Sequence, residues 1–331
     1  MRLDCIGKRL SLGAMLGAAM AALGIAPAVA DERIVFATDW KAEAEQGGFY
    51  QALASGLYKR AGLDVVIHEG GPGIDNQQLI AAGAIDMAMG SNSFFALNLV
   101  QAGAPVRAVM AAFQKDPIVL MTHPRADIAS LADMKGKPIM VADIAINSFW
   151  IWLRAKYGYD DTQIRKYNFN MAPWMLDASA IQQGYLSAEP FMVAKEGVTP
   201  QVYLLADDGY PSYAALVLVP QKTIDAKPAL EKAFVAASVQ GWHDYLYGDN
   251  TAANDLIKQA NPDETDDLIS FGIAKMKQHA IVDGGDAAAR GIGAMTDARW
   301  QAFFDMAVSQ KAYPAELDYR RAYTLDFLPG K

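Results

Sequence analysis

The chain has 331 residues, 52% of them hydrophobic and 20% charged, with a formal net charge of −8. That acidity weighs against nucleic acid and anionic membrane surfaces as partners. The one cysteine, Cys5, falls in the first 30 residues. A chain processed after residue 30 therefore has no thiol catalysis, no iron–sulfur cluster and no Cys-ligated zinc.

Residues 1–30 read as an export signal. Lys8 and Arg9 give a positive start, Leu10 to Ile25 is apolar and small, and Ala28-Val29-Ala30 is a cleavage pattern, so the mature chain is expected to begin at Asp31. The apolar run is shorter than the roughly 20 residues that span a bilayer. Cys5 precedes it, which does not suit lipidation. The segment holds three basic residues and one acidic residue, so its loss moves the charge from −8 to −10. About 300 mature residues suit two domains and can bury a core without disulfides.

Strand-like and helix-like runs then alternate. Arg33–Ala37 predicts a strand, and Gly48–Ala61 a helix closed by Gly62. Asp64–His68 predicts a strand, and Asn76–Gly83 a helix. Met87–Met89 predicts a strand, Ser91–Gly103 a helix capped by Ser91, and Val106–Ala112 a strand. Ile118–Thr122, ending at His123-Pro124, reads as a crossover, after which the pattern restarts. Ile139–Val141, Tyr167–Asn170 and Val202–Ala206 predict strands, Ser148–Tyr157 and Leu176–Gly184 predict helices, and Ala188–Pro190 predicts a short strand end. Ala214–Val219 reads as the return crossover. Beyond Lys227 the chain is mostly helical, over 228–246, 251–259, 263–279 and 297–311. The expectation is an α/β fold of two lobes with a hinge: lobe 1 from 31–122 plus 215–331, lobe 2 from 123–214. The ligand should sit between the lobes at the carboxyl ends of the strands.

Asp39-Trp40 directly follows the first strand. The indole is either a core side chain or a wall for a flat ring, and Phe49-Tyr50 nearby favour the wall. Glu43 and Glu45, in the same loop, read as solvated charges. Gly70-Gly71-Pro72-Gly73 allows close backbone approach at Gly71 but lacks the Lys-Ser/Thr of a phosphate loop and any G-x-G-x-x-G. Ser91-Asn92 and Asn147-Ser148 each begin a helix, and free N–H groups there suit polar or negative ligand atoms, or simple capping. Glu189, before Pro190, is a carboxylate able to accept two N–H bonds at once. Tyr185 is a second wall, and Gln114 a cleft candidate before the first crossover. The four histidines form no H-x-x-x-H pair and no G-x-S-x-G is present. No catalytic residue, metal site or cofactor is expected.

Asp39-Trp40, Gly47-Gly48-Phe49-Tyr50 and the run Asp177-Ala178 to Gly184-Tyr185 and Glu189-Pro190 resemble the NMT1/THI5-like group of solute-binding proteins of ABC importers. The resemblance covers Asp31 to about Pro220. It implies the type II-like periplasmic binding protein fold, a periplasmic monomer, and transfer of a ligand to a permease and its ATPase. The nearest branch is similar to proteins for thiamine pyrimidine precursors, so the ligand expected is a hydroxymethyl- or formylamino-pyrimidine. Its ring would lie between Trp40 and Tyr185, with Glu189 and Asp177 in the second-lobe signature. Relatives bind sulfonates, nitrate or riboflavin. A pyrimidine synthase shares the fold, but its Lys and His four residues apart are Gly90 and Phe94 here, and its cysteine-rich crossover is Tyr213 to Val219 without cysteine.

Overall fold

The computed structural model describes residues 31–328, so the export-signal reading lies outside the described residues. The strands in chain order are β1 (Glu32–Ala37), β2 (Leu63–His68), β3 (Met87–Asn92), β4 (Val106–Phe113), β5 (Ile118–Thr122), β6 (Ile139–Val141), β7 (Ile164–Lys166), β8 (Ile181–Tyr185), β9 (Gln201–Leu204) and β10 (Ala214–Pro220). They form two five-stranded sheets, ordered β2-β1-β3-β10-β4 and β7-β6-β8-β5-β9. In the first, β1 pairs in parallel with β2 and β3, while β10 is antiparallel to β3 and β4. In the second, β6 is parallel to β7 and β8, while β5 is antiparallel to β8 and β9. Each lobe is thus a parallel sheet with one reversed strand, and the chain is a two-lobed α/β fold.

The reversed strands are the ones that join the lobes. Sequence assigns Ile118–Thr122 to the first lobe, but β5 pairs only within the second sheet. The chain therefore crosses at Gln114–Pro117 and returns through 205–213 into β10. Strands β10 and β4 are nearly all buried and, Arg107 of β4 aside, apolar, as expected for strands covered on both faces. Ala215 has a positive φ of 49°, and the register of β10 on β4 shifts between Val217 and Leu218, a bulge in the returning strand.

Four expected elements differ. The helix over 48–61 is two, Gly47–Ala54 and Leu57–Arg60, divided at Gly56, whose φ is 72°. The helix expected over 176–184 is strand β8, preceded by the short helix Ala172–Leu176. The strand end expected at 188–190 begins the helix Glu189–Lys195. Tyr167–Asn170 is a loop following β7, which ends at Lys166. β8 runs through the middle of its sheet with polar Gln182 and Gln183 buried. Gln183 satisfies its amide oxygen by accepting from the Ala142 N–H at 2.7 Å, and such internal pairing hides the strand from any hydrophobic pattern.

The long helix Pro228–Tyr247 packs on Gly47–Ala54. Phe49 is fully buried there, its ring 4.8 Å from Phe36 and 5.7 Å from Trp242. Two further helices, Thr251–Ala260 and Asp266–Gln278, extend this side of the first lobe and reach the second. Phe271 lies 5.2 Å from Phe191, and Lys195 pairs with Asp267 at 3.7 Å. No helix of the described residues is long and apolar enough to cross a membrane.

Candidate functional site

Contacts between the lobes bring the loop after β1 against the segments that follow β7 and β8: Trp40 meets Phe169, and Glu45 meets Ser187. From β1 the chain enters Asp39-Trp40 and a tight turn carrying Glu43 and Glu45. Gln46 anchors it by donating to Asp39 at 3.4 Å and to nothing else charged, while its Oε1 accepts the Glu43 N–H at 3.1 Å. The turn Gly70-Gly71 supports this loop from behind. A Cβ on Gly70 would stand 2.4 Å from the Thr38 carbonyl oxygen, so only glycine fits. From the second lobe, Tyr185 ends β8 and Glu189 begins the next helix. Glu189 accepts the Tyr185 N–H at 2.7 Å and the Tyr167 hydroxyl at 3.2 Å.

The result is a closed, acidic cleft. Asp39, Glu43, Glu45, Asp116, Glu189 and Glu264 lie within electrostatic reach of one another. Among the described residues none of the six is ion-paired with Lys, Arg or His: the lysines nearest in sequence are committed elsewhere, Lys41 to Asp263, Lys115 to Asp207 and Lys195 to Asp267. Burial disfavours their charged forms. It pushes Glu45 up to about 6, Asp116 up to about 7 with Asp39 adding to the effect, and Glu264 up to about 8 with Glu45 and Asp263 adding. Glu43 is raised well above its ordinary value by burial and then by Glu45, Glu264 and Glu189. Asp39 and Glu189 are also raised by burial, against hydrogen bonds that lower them.

Aromatic rings line the same space. Trp40 is half-buried; its indole N–H donates to Glu43, and its ring lies 4.8 Å from that of Phe169 across the cleft. Phe169 is in turn 5.2 Å from Tyr167. Phe169 has φ +62° and is 43% exposed, a costly backbone conformation for a bulky residue that often marks a functional loop. The lobes also meet where the Ser187 hydroxyl donates to Glu45. Behind the cleft, the Arg299 guanidinium holds both crossovers. It donates to the carbonyls of Pro211 and Ser212, each at 2.9 Å, and to that of Gln114.

The structure brings Asp39, Trp40, Ser91, Tyr185 and Glu189 of the expected residues together. Ser91 hydrogen-bonds Asp39 rather than capping a helix; Asn92 is the cap, accepting the Phe94 N–H at 3.1 Å. Ser148 starts the helix Phe149–Tyr157 at the second lobe's strand ends but bonds the Ala145 carbonyl instead of capping, and Asn147 beside it is exposed. Gln114 is buried in the crossover, donating to the carbonyls of Ala111 and Ala294. Gly71 is in the supporting turn. Phe49 is in the core instead of the cleft, because the helix carrying it turns that face onto Trp242. Tyr50 is buried behind the loop, donating to Glu69 at 3.1 Å. Asp177 is exposed at the opposite end of β8, where it caps its own turn by accepting from Ser179.

Sequence reasoning missed Glu43, Glu45, Asp116, Glu264 and Phe169. Glu43 and Glu45 were expected in water; Glu45 is buried and Glu43 half-buried. The available signal was their place in the loop leaving the carboxyl end of the first strand. Glu264 and Phe169 come from distant segments and carried none. No group of His, Cys, Asp and Glu suited to a metal ion occurs among the described residues.

Two α/β lobes closing on a site at their strand ends, joined by two extended crossovers, define the class of ABC-type substrate-binding proteins. The family profile described as NMT1/THI5 like matches residues 43–252, and the chain belongs to that family. It is 26% identical to the riboflavin-binding protein RibY of Chloroflexus aurantiacus, over 85% of this chain and 82% of that one. It is 25% identical to the formylaminopyrimidine-binding protein of Halalkalibacterium halodurans, over 70% and 72%. The periplasmic aliphatic sulphonate binding protein SsuA from Escherichia coli has the same fold, with a TM-score of 0.68 at 14% identity over 91% of this chain and 94% of that one.

Proposed function

We propose that the protein is the substrate-binding component of an ABC importer and captures a small aminated heteroaromatic ligand, most specifically a pyrimidine precursor of thiamine. It acts as an exported monomer that delivers this ligand to a permease and its ATPase. The observation that carries the reading is the row of carboxylates facing Trp40, Phe169 and Tyr185. Carboxylates accept N–H donors, and aromatic faces stack on flat rings. Glu43 and Glu189 are the proposed readers of amino groups, each with lone pairs left after its protein bonds. The 4.8 Å between the Trp40 and Phe169 rings leaves no room for a third ring. Ligand entry therefore displaces Phe169 and puts the ligand against Trp40, with Tyr185 on the far side.

A cleft of this charge is a poor host for sulfonate or nitrate, since no basic side chain among the described residues pairs with its carboxylates. The enzyme reading is disfavoured at Gly90: the lysine of the synthase is absent, and a Cβ there would stand 2.9 Å from Leu218 Cδ1, so a side chain would have to displace Leu218. Riboflavin is the second reading, favoured by the relation to RibY across most of both chains.

A thermal-shift panel on residues 31–331 separates these readings. It would include aminopyrimidines, thiamine, riboflavin, taurine, alkanesulfonates and nitrate. A ligand that binds only the folded state raises the melting temperature with RT ln(1 + [L]/Kd). The expected result is a shift with an aminopyrimidine and quenching of Trp40 fluorescence, with Trp40→Ala and Glu189→Ala each weakening binding by about tenfold or more. A shift with riboflavin or a sulfonate alone would replace the ligand and keep the class.

A further inference from the structure

The charge of the cleft goes further than its shape. Six carboxylates cluster within electrostatic reach of one another, and no cation of the described residues is paired with any of them. A buried ion without a partner costs several kcal/mol, and hydrogen bonds alone do not remove that cost. A buried neutral group near two of these carboxylates is also left without a partner. Tyr245 is fully buried, and its hydroxyl has no hydrogen-bond partner. It stands within the fields of Glu45 and Glu264. Its ring is pinned against the start of the helix Gly47–Ala54, where a Cβ on Gly47 would come within 2.0 Å of its Cζ. The mouth carries the other chemistry that cations favour: the face of Trp40, with Phe169 and Tyr167 in a row behind it.

We propose that the cleft takes its ligand as a cation, a nitrogen heterocycle bearing an ammonium or other positive nitrogen. The positive centre lies against Glu43 and Glu189 and over the Trp40 face. This rests on the reading of the cleft as the ligand site and deepens it. An aromatic face attracts a cation through its quadrupole, and carboxylates supply charge-assisted acceptors on the remaining sides. A neutral ligand would leave the carboxylates with the same repulsion they have when the cleft is empty. An anion would add to it. The positive ligand supplies the ion that the fold omits.

The test is titration calorimetry at pH 8 on residues 31–331 with three probes. The first is 4-amino-5-(aminomethyl)-2-methylpyrimidine, which carries an exocyclic ammonium. The second is its neutral hydroxymethyl counterpart, and the third is benzylammonium, which keeps the charge and discards the pyrimidine. The ammonium pyrimidine should bind at least about tenfold tighter than the hydroxymethyl one. Glu43→Gln should weaken the ammonium pyrimidine more than the hydroxymethyl one and so shrink that ratio. Equal affinities, or tighter binding of the neutral probe, would overturn the cation proposal and leave the aminopyrimidine reading standing. Binding of benzylammonium alone would keep the charge and discard the pyrimidine. No heat with any of the three would discard both. Glu43→Gln removes a charge from a repulsive group, so circular dichroism should report a folded protein.

Discussion

Glu231 has both carboxylate oxygens buried without a partner, on the helix Pro228–Tyr247, and burial pushes it up to about 7. No charge from the cleft contributes to that shift. Its folded value lies above the ordinary 4.5, so the folded state holds the proton more tightly. The stability this confers is complete below the unfolded value and is lost as pH rises through 7. Above that pH an unpaired ion is buried, and replacing such a group with an apolar one of similar volume is often stabilising. Glu231→Met should raise stability by about 1–3 kcal/mol at pH 8 and by much less at pH 5. Urea denaturation at the two pH values measures it, and an equal gain at both would show that the carboxyl has found water. Glu231 resembles the cleft carboxylates in one respect: an isolated Glu in a sequence looks solvated. Asp39 and Trp40 were legible because they follow a recognisable strand. Glu45 and Glu264 were not, because their burial depends on Ser187 and on the segment near Asn261, which donates to the Ala42 carbonyl at 3.0 Å from 219 positions away.

At the scale of elements, the glycines of Gly47-Gly48-Phe49-Tyr50 serve packing. A Cβ on Gly48 would stand 2.1 Å from the Trp242 ring, and one on Gly241 would stand 2.3 Å from the Gly48 carbonyl oxygen. The helices Gly47–Ala54 and Pro228–Tyr247 approach through these two residues, and that approach fixes the helix which, through Gln46, holds the Asp39 loop. Gly48→Ala and Gly241→Ala should each cost about 1–3 kcal/mol, the usual penalty for overfilling a packed contact. Each should also weaken ligand affinity by tilting the loop. Denaturation and binding isotherms on the two variants check this, and a full-affinity, fully stable Gly48→Ala would show that the helices can part without disturbing the loop. The alternation of strands and helices, and so the two-lobed class, was legible because most of these elements are amphipathic or uniformly apolar. β8 was not, because it buries the polar Gln182 and Gln183 in the middle of its sheet, which breaks the hydrophobic pattern of a strand. The crossover was misplaced because β5 is apolar enough to fit either lobe, and only pairing with β8 decides.

The whole molecule carries two opposed sets of carboxylates, and together they set how it responds to pH. On the surface, Asp127 is held below the usual range by Arg125, and Asp133, Asp160, Asp177 and Asp249 by hydrogen bonds to nearby N–H and hydroxyl groups. Their stabilisation is present above the ordinary value of 3.8 and is lost as pH falls through their lowered folded values. In the cleft, Glu45, Asp116 and Glu264 sit at about 6, 7 and 8. Their contribution is present below the unfolded values and is lost as pH rises through that span. The ligand-free protein should therefore be most stable near pH 5, with a falling limb from about pH 6 to pH 8. The falling limb belongs to the cleft and to Glu231, and the acid limb to the surface, so they can be separated. Asp116→Asn together with Glu264→Gln should make the limb above pH 6 shallower and leave the acid limb unchanged. A saturating cationic ligand should flatten it too, since it supplies the missing partner, whereas a neutral ligand should only shift the whole curve upward. Melting temperatures from pH 4 to pH 8, with and without ligand, decide. A stability that rises steadily to pH 8 in the ligand-free protein would mean that the carboxylates reach solvent, with the lobes standing apart and the acidic cleft filled with water until a ligand draws them together.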